Sequence, residues 1–394
     1  MINEKWIIDE IDKIKDNNLF RSPHTVRHIL DKQEKIIIEG EEFINFASND
    51  YLNFSQNEYI KSKAVEYTQK YGTGSQASRV VVGTLDIHRE LEKRIAKFKG
   101  CEDSLIFGSG FLTNVGIISA LISRGDTIII DRLAHASIIE GAILSRGDIK
   151  RFNHNDPTHL ETLLKNSTQF KKSKTLVVTE SIFSMDGDIA PLKKIVAICK
   201  KYSAMIMIDE AHSSGIYGEN GAGLISELGI CKDVNIAMGT FSKAFGVYGG
   251  FVAISKEIRS FLENRARSFI YSTALPPSVL GSINGALDIL EKEALGKKLL
   301  EKATIFRDIL RDANLNVANS ESQIIPVIIG DTEKTIQFMD RLKRESIWVP
   351  AIRPPTVQTG TSRLRFSITL AHSDKLLKKV AITVIDIAKE EGVI

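Results

Sequence analysis

The chain has 394 residues, 43% of them hydrophobic and 26% charged, with a net charge of +3. That length suits two or three domains of ordinary globular composition rather than one simple core. The charge balance excludes an electrostatic basis for binding nucleic acid or a membrane surface, and the nearest thing to a basic cluster, Lys171, Lys172 and Lys174, reads as a solvated loop.

The opening stretch "MINEKWIIDEIDKIKDNN" mixes acids and bases around Ile7, Ile8, Ile11 and Ile14. This spacing predicts an amphipathic helix, without the basic-then-apolar order of a secretion signal, so a cytoplasmic protein is expected. The most apolar long window, 105–122, contains three glycines, two serines, Thr113 and Asn114. It reads as a buried loop leading into a helix, not as a membrane span. Cys101, Cys199 and Cys231 are widely spaced and form no CxxC pair, as expected of reduced thiols.

Short apolar runs follow: "TIIID" (127–131), "TLVVTES" (175–181), "AMIMIDE" (204–210), "VNIAMGT" (234–240) and "GGFVAIS" (249–255). Helical patterns such as "PLKKIVAICKKY" (191–202) separate several of them. Continuous apolar strands alternating with helices predict an α/β fold with a mostly parallel sheet covered on both faces. Between the runs, "HNDPTH" (154–159) has the look of metal-ligand spacing, but Asp156 before Pro157 reads better as an N-cap and first helical residue. No HExxH or Cys/His zinc pattern occurs, and no metal is expected. From about residue 284 the texture changes to one long charged helical stretch, then "IIPVIIG" (324–330), a helix near 332–346, "IWVPAIRPPTV", "RLRFSITL" (363–370) and a final helix. The expected organisation is an N-terminal helical or extended segment over 1–45, a large α/β domain over 46–283 and a small α+β domain over 284–394.

Sites in such sheets collect at the carboxyl ends of strands. There stand Asp209 and His212 in "MIMIDEAHSSG" and Lys243 in "GTFSKAFGVYGG". A lone acid at a strand end is more often a cap, but an amine and a carboxylate reaching one crevice suit pyridoxal 5'-phosphate (PLP). The lysine would condense with the aldehyde, the carboxylate would keep the ring nitrogen protonated, and His212 would bond the ring phenolate. "FGSGFLTN" (107–114) leads into a helix whose free N–H groups suit a phosphate, although Gly-Ser-Gly alone is commonly a plain turn. Thr240 and Ser242 would add hydroxyls, or serve only as a strand residue and a helix cap. His135 follows another apolar run and would stack on the ring. "TESIFSMDGD" holds Ser184 and a turn at Asp186–Gly187. Arg363 and Arg365 share a strand face, which is either solvated or, with Arg353 nearby, suited to a substrate carboxylate.

With "YGTGS", "SGF", "DRLAHAS", "FSMDGD", "DEAHSSG" and "GTFSKAFG" spread from about residue 46 to 372, the chain resembles the α-oxoamine synthases. These are PLP enzymes of fold type I that condense an amino acid with an acyl thioester and lose CO2. The resemblance implies that Lys243 forms the Schiff base, Asp209 pairs with the pyridine nitrogen, His212 with the phenolate, and His135 stacks on the ring at the substrate side. Gly110, Phe111, Ser184 and Thr240 would complete the cofactor site. It further implies a homodimer with interfacial sites, "YSTALPP" (271–277) carrying Thr273 towards the partner's phosphate. Asn49 and Arg365 would meet the amino acid, Arg365 at its carboxylate. Arg21 and Thr356 match acyl-substrate positions of the branch that joins L-alanine to a pimeloyl thioester of coenzyme A or acyl carrier protein. One segment, "GTGSQASRVVVGTLDIHRELE", is more similar to the branches using glycine with acetyl-CoA or making sphingolipids, so glycine C-acetyltransferase stays open. Serine palmitoyltransferase-like or 5-aminolevulinate synthase activity, or a non-catalytic partner on the same fold, are lesser alternatives.

Overall fold

A computed structural model describes residues 4–167 and 173–394, so Lys171 and Lys172 of the basic loop lie outside the described residues. The chain divides into two compact units. The larger holds Asn49–Ser184 and Ile189–Leu299, the smaller Met1–Ser48, Met185–Asp188 and Leu300–Ile394.

The larger unit is built on a seven-stranded sheet. Its order is Asp103–Phe107, Gly250–Ile254, Ile236–Thr240, Met205–Asp209, Thr175–Glu180, Thr127–Asp131, Asp148–Phe152. Gly250–Ile254 runs antiparallel to both neighbours, and the remaining pairs are parallel. All five predicted apolar runs are strands of this sheet. Ile128, Ile130, Leu176, Val178, Met207 and Met238 enter one core with the helices Gly110–Leu121 and Ala136–Ser145. The alternate residues Ile129, Val177 and Ile208 are equally buried. Successive side chains point to opposite faces, so burial of both sets means both faces are covered.

Two strands escaped the sequence pattern. Asp103–Phe107 had been merged with the apolar window after it, and the expected loop at 105–107 is instead a strand, with the helix starting at Gly110. Asp148–Phe152, "DIKRF", is a charged and largely exposed edge strand, without the apolar signal of a buried one. The single long helical stretch predicted after residue 284 is two helices, Pro277–Leu290 and Leu295–Asp312. The break lets Gly296 lie against the backbone of Ile216, where an added Cβ would fall 1.8 Å from the carbonyl oxygen. Asp156 does cap the Pro157–Ser167 helix, accepting from His159 N at 3.0 Å, and His154 Nδ1 bonds Asp131 Oδ1 at 3.0 Å.

In the smaller unit, Ser362–Ser367 is the central strand of a three-stranded antiparallel sheet, between Ile324–Gly330 and Ala351–Ile352. A second sheet pairs Val26–His28, Lys35–Ile38, Glu41–Asn45 and Ile347–Trp348. Phe46 stacks on His372 at 4.4 Å between ring centroids. The Asp186–Gly187 turn belongs to this unit. Gly187 has φ +69°, and a Cβ there would lie 2.0 Å from the Ile324 carbonyl oxygen, so glycine is required. The Lys5–Asp16 helix forms as predicted, but none of its residues is buried. Among the described residues no helix is long and apolar enough to cross a membrane.

Candidate active site

Parallel strands that end together bring their last residues side by side. Glu180 and Asp209 are register partners at the ends of adjacent strands, and Thr240 closes the next. These ends, with the N-terminus of the Gly110–Leu121 helix and His135, enclose a cavity of about 260 Å³. Lys243 lines the same cavity, reached by the turn that follows Thr240.

The turn is fixed by its own backbone. Phe241 N donates to Gly249 O, Val247 N to Phe241 O and Gly246 N to Lys243 O. Gly246 has φ +62°, and a Cβ there would lie 2.5 Å from Ser55 N. Lys243 Nζ stands 2.7 Å from His212 Nε2. Asp209 is 5% exposed, and its carboxylate accepts from Asn114 Nδ2 at 2.8 Å and from Ala211 N at 2.9 Å. These donors fix the carboxylate on the cavity wall.

At the other end, Ser109 caps the Gly110–Leu121 helix, and Gly110 packs on Thr240, whose Oγ1 donates to Gly249 O at 2.8 Å. A Cβ on Gly250 would lie 2.4 Å from Thr113 Oγ1 and 2.8 Å from Gly110 N. Glycine at 250 therefore lets the helix terminus approach the sheet, leaving its free N–H groups at the cavity wall. His135 caps the next helix, its Nδ1 2.7 Å from Ser137 Oγ. Burial draws its pKa below the ordinary imidazole range, with Asp209 opposing. Its backbone N–H donates to Glu180 Oε1 at 2.7 Å. Complete burial, reinforced by the Asp209 charge, pushes the Glu180 carboxyl well above the usual range against the pull of Lys243.

Of the residues singled out from the sequence, Gly110, Phe111, His135, Asp209, Thr240, Ser242 and Lys243 line this cavity, and His212 touches it through Lys243. Asn49 is two hydrogen bonds beyond His212, its Oδ1 accepting at 3.2 Å from the hydroxyl of Tyr51, which lies 2.8 Å from His212 Nδ1. Ser184 and Thr273 are not among its lining residues. Thr273 pairs with Ser78 in an isolated bridge beside Arg79. In the smaller unit, Arg21 Nη2 donates to Thr356 Oγ1 at 3.0 Å. Arg353 donates to the carbonyl of Asn18. The solvated-face reading of Arg363 and Arg365 is overturned: both lie on a central strand and are 6% and 5% exposed. Arg363 pairs with Asp186, and Arg365 Nη1 donates to Ser367 Oγ at 2.8 Å. Sequence reasoning missed Glu180, Asn114 and Tyr51. Glu180 carries the same strand-end acid signal as Asp209, whereas Asn114 and Tyr51 have no local signature.

The family profile for aminotransferase class I and II matches residues 41–384. An 8-amino-7-oxononanoate synthase from Geobacter sulfurreducens is 42% identical over 391 residues, 98% of this chain and 99% of that protein. Among solved structures, a serine palmitoyltransferase from S. paucimobilis with bound PLP–myriocin superposes with a TM-score of 0.92 at 30% identity, covering 99% of this chain and 98% of that one. An 8-amino-7-oxononanoate synthase from Francisella tularensis gives a TM-score of 0.77 at 31% identity over 89% of this chain and 99% of that one.

Proposed function

The chain belongs to the aminotransferase class I and II family, and from that premise we propose that it is an acyltransferase joining L-alanine to a pimeloyl thioester, giving 8-amino-7-oxononanoate, CO2 and the free thiol. The observation that carries this reading is the opening of Lys243 and Asp209 into one cavity, in a chain 42% identical to a synthase of that name. Its cofactor is PLP. The residues present fit that group: a buried carboxylate anchored by two N–H donors, an amine in the same cavity, and a helix N-terminus left open by Gly110 and Gly250.

Lys243 would hold the cofactor covalently, Asp209 its protonated ring nitrogen and His212 its phenolate oxygen. His135 would lie on the ring face, and Thr240 with the Gly110–Leu121 helix terminus would hold the phosphate. When bound, the cofactor supplies an electron sink for bonds broken at the amino acid Cα. Arg365 grips the carboxylate of alanine, setting which Cα bond faces the sink. Lys243 Nζ, as a free amine, takes the Cα proton. The Cα then bonds the thioester carbonyl carbon as the C–S bond breaks, the thiolate leaves and takes a proton from solvent, CO2 departs, and Nζ returns the proton to Cα. Arg21 and Thr356 contact the acyl substrate. The active form is a cytoplasmic homodimer, with Thr273 directed to the partner's phosphate.

Thiol release from a panel tests the substrate pair: alanine, glycine and serine, each against pimeloyl-, acetyl- and palmitoyl-CoA, with pimeloyl-acyl carrier protein as a further donor. Alanine with a pimeloyl donor is expected to be fastest. Fastest release from glycine and acetyl-CoA would support the second reading, glycine C-acetyltransferase, which the "GTGSQASRVVVGTLDIHRELE" segment favours.

A further inference from the structure

Ser137 takes no part in the roles assigned so far, yet it holds one nitrogen of the His135 ring from two sides. Its backbone N–H donates to His135 Nδ1 at 3.2 Å, the bond by which His135 caps the Ala136–Ser145 helix. A backbone N–H only donates, so the capping nitrogen is bare. Ser137 Oγ lies 2.7 Å from the same Nδ1 and 2.9 Å from Asn114 Nδ2. Asn114 Nδ2 also donates to Asp209 Oδ2 at 2.8 Å. A carboxylate only accepts, so the amide end at Asp209 is the nitrogen, and its second hydrogen goes to Ser137 Oγ. The Ser137 hydroxyl hydrogen is left for His135 Nδ1. Both donors of Ser137 therefore converge on one ring nitrogen. Ser137 and Asn114 are each 1% exposed, so water does not replace these bonds. His135 lines the cavity, and its other nitrogen, Nε2, makes no hydrogen bond among the described residues.

We propose that Ser137, itself held by Asn114, is a positioning residue that keeps His135 a neutral imidazole with its one hydrogen on Nε2, so that the ring meets the substrate as a hydrogen-bond donor to an oxygen and not as a proton-releasing imidazolium. Protonating Nδ1 would break the cap, set N–H against N–H and orphan the Ser137 hydroxyl. It would also place a cation at the positive end of the helix dipole. The charged groups that face the ring are Asp209, from the end of Met205–Asp209, and Lys243, from the turn after Ile236–Thr240, while Glu180 accepts from the His135 backbone N–H. Desolvation and Lys243 favour the neutral ring, and Asp209 opposes them. The bonds at Nδ1 decide against Asp209. Asn114 thus braces two groups at once, the carboxylate meant for the ring nitrogen and, through Ser137, the imidazole meant for the ring face. The use made of the Nε2–H rests on the proposed reading of this cavity; the tautomer itself does not.

Nitrogen-15 NMR of the full chain labelled at histidine tests this, with and without PLP. The His135 signals are assigned by their loss in His135→Asn, which keeps an acceptor for the cap. The unsubstituted chain should show Nδ1 bare and Nε2 protonated, and keep that form below the ordinary imidazole midpoint of 6.5. Ser137→Ala removes one of the two donors to Nδ1, and the pH at which His135 takes its second proton should rise by about one unit. Asn114→Leu, which releases the Ser137 hydroxyl to accept from Nδ1, should raise it too. In the holoenzyme, Ser137→Ala should move the acid limb of thiol release to higher pH by the same interval. An Nδ1–H form or an imidazolium in the unsubstituted chain at neutral pH would overturn the proposal. So would a Ser137→Ala variant that lowers Tm but leaves the His135 midpoint where it was. A midpoint that rises without moving the acid limb would overturn the donor role. If PLP gives no visible band with the unsubstituted chain, the cofactor reading fails while the His135 result still stands.

Discussion

Lys243, His212 and Tyr51 form a chain of hydrogen bonds 2.7 and 2.8 Å long, and Asp209 faces the same cavity from the neighbouring strand end. On the proposed reading, replacing Lys243 by Ala removes both the covalent anchor and the proton carrier. The visible cofactor band should disappear and thiol release should fall by about 10³-fold or more; full activity in that variant would sink the mechanism. Arg365→Leu should raise KM for alanine by roughly 10- to 100-fold, the weight of a charge-assisted hydrogen bond, and an unchanged KM would refute its carboxylate role. A third residue-scale prediction concerns stability. Burial holds His372 at about 4, well below its ordinary 6.5, so the folded chain keeps this ring neutral. His88, buried near Arg79, is held at about 3. The unfolded chain therefore binds more protons between these values and 6.5. Both rings contribute stability above pH 6.5, which is lost as pH falls through 6.5 towards 4. For His372 alone the loss approaches about 3 kcal/mol. Urea midpoints measured from pH 7.5 to 4.5 should drop, and less steeply in His372→Gln.

At the scale of elements, the turn carrying Asp209 and His212 is tied from behind. Lys99, the last residue of the Asp86–Lys99 helix, pairs with Glu210 and also donates to the Ala222 carbonyl, and the pair is 2% and 0% exposed. Removing one member leaves a buried charge. Lys99→Met should cost about 3–5 kcal/mol, and Lys99→Met with Glu210→Leu should recover most of it, as read from denaturant midpoints. A double variant no more stable than the single one would refute the account. The sheet and the helix opposite it give a second test. Gly250→Ala should push the Gly110–Leu121 terminus off the sheet and weaken PLP binding more than it lowers Tm, which titration of the visible band can check. The five apolar runs were readable because strands buried on both faces need no polar alternation. The edge strand Asp148–Phe152 was not, since its exposed face carries the composition of a loop.

For the whole molecule, activity is predicted to reside in a dimer. Light scattering should report twice the monomer mass, and a fully active monomer would refute the assignment of Thr273 to a partner's site. The three cysteines, expected as reduced thiols, are free, and burial pushes Cys199 to about 12 and Cys101 to about 11, so alkylation at neutral pH should be slow. By itself the sequence determined the α/β class, the strand ends on which Asp209 and Thr240 stand, and the cofactor that a lysine and a carboxylate at that spacing suit. These depend on local period and residue type, which are written along the chain. Only the tertiary structure decided that Glu180 lies beside Asp209, that Asn114 holds that carboxylate, that Arg363 and Arg365 are buried, and that Tyr51 backs His212. Each of these depends on which strands are neighbours and which helix face meets the sheet. Those pairings set distances between residues far apart in sequence, and no local pattern encodes them.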